Sequence, residues 1–182
     1  MLEVWVFHVD DYGEEVARIL KAAGAGKRTM PLILHASAQP ALGLTAAELF
    51  PAAPEPVAAL AGLHFYLGNW DEAHAAADSA ERASNYYWHA IVHRQEQDAG
   101  NAAYWFRMTG KHPVFGALRE EAARLGYYAG RDWDPIKFVD YCGAAPVGSK
   151  DEKLAMQVQL VEWQLLFDYC AYPGNSQRGQ SN

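Results

Sequence analysis

The chain has 182 residues, of which 51% are hydrophobic and 13% aromatic, enough to build one compact domain with a buried core and too apolar for disorder over most of its length. Fifteen Lys and Arg stand against 22 Asp and Glu, a net charge of −7 with no basic run, which argues against nucleic acid and anionic membrane as partners. Leu2–Val9 is too short and too interrupted for a signal peptide, no segment approaches the length of a spanning helix, and two cysteines fit a reducing compartment, so a cytoplasmic protein is expected.

In chain order, Met1–Val9 alternates weakly and could form a short strand or an extended arm. Asp10 and Asp11 would cap a helix running to about Ala23, ended by Gly24 and Gly26. The stretch from Lys27 to Pro56 is punctuated by five prolines and is read as irregular, with one helical turn at Thr45–Phe50. Met30–Ala36 could pair with the first segment as a second short strand. From Glu55 the pattern is helical almost without interruption to residue 145, followed by a long closing helix over 150–172 and a flexible tail over 173–182. Leu154, Val158, Val161, Leu165 and Phe167 would let that closing helix cover the open face of the last hairpin. The expectation is therefore a single all-α domain: residues 1–54 an N-terminal helix plus irregular arm, 55–145 stacked antiparallel helical hairpins, and 150–172 a capping helix.

A repeat runs through the helical part. Shifting the chain by 29 residues sets Ala61 on Ala90, His64 on His93, Asn69 on Asp98 and Ala73 on Ala102. A second shift sets Gly130–Asp134 beside Gly68–Asp71, and each unit reads as helix, tight polar turn, helix. The run Leu63–Ala73, with Ala61, Gly68, Trp70, Ala73 and Ala80 at the small, turn and aromatic positions, resembles a tetratricopeptide repeat. A second unit matches through Ala90, Ala102, Phe106 and Pro113, departing at Ala99 and Thr109. The third is degenerate, with Arg124 at a small-residue position. The resemblance implies helical hairpins and, in that family, a groove for a peptide or protein partner. The segment Tyr87–Phe115 also resembles a family of uncharacterised bacterial and fungal proteins, which implies no activity.

Chemistry concentrates at Tyr86–Glu96. On a helix His89, His93 and Glu96 fall at i, i+4 and i+7 and share one face, where the repeat pattern would place apolar residues. Buried without partners such groups cost a few kcal/mol each, so they must be hydrogen-bonded, metal-bound or open to a pocket. Three readings follow. His89, His93 and Glu96 could hold a divalent metal such as zinc, with water or His112 in the fourth position, and support hydrolysis. Without metal, the same residues could move protons as catalytic groups, with Arg94 and Arg107 clamping an acidic ligand and His64 and Trp105 as further ligand contacts. Or the rings could be satisfied by tyrosine hydroxyls inside a non-catalytic interaction module. The sequence favours a small-molecule pocket over a peptide or protein partner, because the irregular arm could close the concave face.

Overall fold

The computed structural model describes residues 6–34 and 42–174. Among them the protein is all-α, with a 3-10 turn at Val9–Tyr12 followed by α1 (Glu14–Ala22), α2 (Ala46–Leu49), α3 (Pro56–Leu67), α4 (Trp70–Asp78), α5 (Ala83–Gln95), α6 (Ala99–Thr109), α7 (Phe115–Leu125), α8 (Pro135–Ala144) and α9 (Lys150–Ala171). No helix among the described residues is long and apolar enough to cross a membrane. Residues 1–5, 35–41 and 175–182, which include most of the expected first strand and of the tail, lie outside the described part.

Helix boundaries follow local chemistry. Pro56 begins α3, where its missing N–H leaves no intrahelical bond unmade, and Gly68 ends it at φ 80°, a left-handed cap that a Cβ would strain. Asp98 caps α6 through the amide of Asn101, and Ser149 caps α9 through Glu152. The cap of α8 is Asp134, which accepts from the amides of Ile136 and Lys137. Asn69 stands at the start of α4, and its side chain makes no capping bond there.

Helices α3 and α4, joined by Gly68–Asn69, form the first hairpin; α5 and α6 form the second; α4 and α3 both pack on α5. The third unit departs from the repeat. Helix α7 packs on α9, and α8 packs on α6, α5 and α9, so the two helices lean on neighbours more than on each other. The long helix α9 reaches beyond the last hairpin and lies along α3, where Trp163 stacks on Tyr66 at 4.3 Å and donates from Nε1 to the Gly62 carbonyl at 2.7 Å. Gly62 is also where α3 and α5 approach, since a Cβ there would stand 2.6 Å from the Trp88 ring.

In its described residues the arm is pinned to the helices by hydrogen bonds with their side chains and backbone. Gln159 of α9 donates to the carbonyls of Met30 and Pro31, Gln95 of α5 donates to Pro31, and the Leu34 amide donates to the Gln95 carbonyl. Those are the groups a β ladder would have used, and no strand forms among the described residues.

The central element is α5. Helices touch it on several sides, and ten of its 13 residues are buried. A helix buried all round has no solvent face for polar residues, so each must find a partner. Ser84 meets His112 at 3.1 Å, Asn85 donates to the Ala76 carbonyl, Gln95 reaches the arm, and Arg94 reaches α9. Each polar side chain thereby ties α5 to a different neighbour.

Candidate metal centre

His89 and His93 project together from α5, their rings stacked at 4.9 Å and 15°. One helical turn separates them, which is why the spacing was legible. The third member of the cluster comes from α4. His74 meets His89 through the two Nε2 atoms at 3.0 Å, and its ring lies edge-on to both His89 and His93. One ligand atom from each of the three histidines lies within 4.8 Å of the others.

The surroundings orient these rings. Trp105 of α6 stacks on His89 at 4.0 Å and 16°, and Trp70 stacks on His74 one turn away on α4. Glu96 Oε2 sits 2.7 Å from His93 Nδ1, leaving Nε2 as the nitrogen available for a further bond. Buried His89 Nδ1 has no hydrogen-bond partner, and the nearest carboxylate is Asp78 Oδ1 at 3.9 Å. Burial pushes His89 down to about 4, with the neighbouring imidazoles of His74 and His93 adding to the shift and Asp78 opposing it. At neutral pH this ring is therefore uncharged and keeps a lone pair. A pocket of about 240 Å³ adjoins it, lined by Asp78, Glu81, Tyr86, Tyr104, Trp105 and Met108 among others.

The structure revises the membership expected from sequence. Glu96 does not face the cluster as a third ligand but holds His93 from behind. His112 does not join it; the ring is buried against Tyr87, Phe115 and Tyr169, bonded to Ser84, and pushed down to about 4 by burial. His64 is buried beside Asn69, its Nδ1 3.4 Å from Nδ2, and is lowered by burial with Glu72 opposing. Arg94 points into the core, where it donates to Glu162 at 2.5 Å and to Gln159 at 3.3 Å, with its guanidinium over the Phe138 ring. Tyr87 donates to the other Glu162 oxygen at 3.0 Å, so this network binds α5 to α9 and supplies no clamp beside the histidines. Arg107 is exposed on α6 and lines a separate groove. Trp105 does stand at the cluster, as a packing surface for His89.

His74 escaped the sequence reading. It lies 15 residues before His89 on another helix, and no local spacing links them. Only the α4–α5 packing does. Its one sequence signal is Trp70 four residues earlier, an aromatic placed to stack on it.

No family model, curated protein or solved structure matches this chain. The candidate centre therefore stands on its own geometry.

Proposed function

We propose that His74, His89 and His93 form a divalent-metal site, zinc being the ion that three imidazoles suit best, and that the site serves metal-assisted hydrolysis of a small molecule admitted through the adjoining pocket. The observation that carries this is the convergence of three imidazole nitrogens within 4.8 Å from two helices. Tetrahedral zinc with bonds of about 2.0–2.1 Å needs nitrogens roughly 3.3 Å apart. The His74–His89 separation of 3.0 Å needs to open by only a few tenths of an ångström.

Three features support the reading. His89 is held in the neutral form that a metal requires. The Glu96–His93 bond matches the carboxylate behind a ligating imidazole that fixes its orientation and raises its basicity. Three protein ligands leave a position for water or substrate, and an ion there would polarise a carbonyl or phosphoryl oxygen and acidify its water. The chain's own residues then supply the wall: Trp105 holds His89 in place, and Tyr86, Tyr104 and Met108 bound the space for a substrate.

A peptide-binding module of tetratricopeptide type finds less support. The first helices of the two hairpins would line its groove, yet α9 lies against α3 through Trp163 and ties to α5 through the Glu162–Arg94 pair. That groove is filled by the chain itself.

Protein stripped with a chelator and titrated with zinc in a calorimeter tests the proposal. One ion per chain is expected, with a melting temperature that rises with free zinc by about 5–10 °C at a hundredfold excess over Kd. His74→Ala and His93→Ala should each weaken binding by at least about tenfold. Wild-type protein that binds no zinc, or a His74→Ala variant that binds it unchanged, would sink the assignment.

A further inference from the structure

A second and larger concavity, of about 890 Å³, lies among the end of α6, the start of α7, and the loop leading into α8; none of the three clustered histidines lines it. Five cations line it, Arg107, Lys111, Arg119, Arg131 and Lys137, against the carboxylates Asp132 and Asp134. On a chain of net charge −7 this is a local reversal of sign. Among the described residues Arg107, Lys111 and Arg131 form no ion pair, and Asp134 is committed to capping α8. Arg119 donates to the Arg131 carbonyl and so braces the loop that closes the groove.

Two further observations give the groove donors as well as charge. Helix α7 starts with no side chain capping it, and Gly116 in its first turn is exposed, with open space where a Cβ would stand. The Phe115 amide already donates to the His112 carbonyl, which leaves the Gly116 and Ala117 amides and the positive end of the helix available to an anion. Independently, Trp133 lines the groove at 6% exposure, and its buried Nε1 has no hydrogen-bond partner. An indole N–H sealed without an acceptor costs free energy, which a ligand oxygen that displaces the atoms covering it would recover. Phe106, Phe115 and Ile136 give the same groove an apolar portion.

We propose that this groove is a binding site for a phosphorylated small molecule, with the phosphate oxygens at the α7 N-terminus among the surrounding cations and an aromatic or apolar body over the rings. The volume is in the range of small-ligand sites and far exceeds a single phosphate. The site is independent of the histidine cluster.

The test uses the full chain, ¹⁵N-labelled and kept in EDTA so that metal plays no part, titrated with pyrophosphate and separately with ADP. The Trp133 indole signal is assigned by its loss in Trp133→Phe. Binding predicts saturable movement of that signal and of the Gly116 and Ala117 amides, with ADP tighter than pyrophosphate. Lys111→Glu combined with Arg107→Glu, both exposed, should keep the wild-type circular dichroism and weaken binding by about tenfold or more. Signals that stay still up to about 10 mM of either probe, or that move equally in the charge-reversed variant or with sodium chloride alone, would overturn the site. Equal affinity for the two probes would overturn the role of the apolar portion.

Discussion

Acidification should unfold this protein through two particular histidines. Burial lowers both His89 and His112 from 6.5 to about 4. The folded state thus refuses a proton that the unfolded chain accepts, and between these limits the unfolded state binds more protons. Stability from these rings is complete above pH 6.5, falls as pH drops toward 4, and levels off below that. At about 1.36 kcal/mol for each pH unit, one ring contributes up to about 3 kcal/mol. Water reaching His89 from the adjoining pocket and the nearby Asp78 carboxylate would screen part of this. A realistic combined loss is about 3–4 kcal/mol for the two rings by pH 4, or roughly 6–16 °C in melting temperature for a chain of this size. Thermal melts followed by circular dichroism from pH 8 to 4, in the presence of a chelator, give the wild-type slope. Carboxylates also titrate in this window, so the comparison is with His89→Gln/His112→Gln, which keeps them. That variant should start less stable and show a flatter decline between pH 6.5 and 4. Parallel curves for the two proteins would refute the linkage.

Two stability predictions address the core. Glu162→Gln leaves the Arg94 guanidinium buried against a neutral partner and should cost about 3–5 kcal/mol by urea denaturation, whereas Arg94→Met/Glu162→Leu should recover most of that loss; equal destabilisation in both would show that packing and not charge governs the site. Gly62→Ala drives a methyl to 2.6 Å from the Trp88 ring and should lower stability by about 1–3 kcal/mol, with Trp88 near-ultraviolet circular dichroism altered; an unchanged midpoint and spectrum would mean that α3 and α5 separate freely.

How much was legible depends on the range of the interaction. The His89–His93 pairing and the Glu96–His93 contact are set by the pitch of a single helix, and both are present. The tight turns at Gly68 and Asp98 likewise follow from cap chemistry within four residues. The full membership of the site did not follow, because His74 arrives on another helix; Trp105, expected as a ligand contact, is at the cluster as a packing surface for His89. Arg94 lies within the same helical segment as the histidines yet faces Glu162, 68 residues away, on the opposite business of holding α9.

By itself the sequence determined an all-α chain, the bounds of α1, α2 and α9 to within a few residues, and a pair of imidazoles on one stripe, since periodicity and capping are local and act before any tertiary contact forms. Only the tertiary structure decided that α5 is enclosed on several sides, that α9 fills the groove along α3, and that a third imidazole completes the cluster. Those outcomes depend on which helix faces meet. Apolar faces lack direction, so many pairings are nearly equivalent until polar side chains such as Arg94, Gln95 and Gln159 find partners that only one arrangement provides.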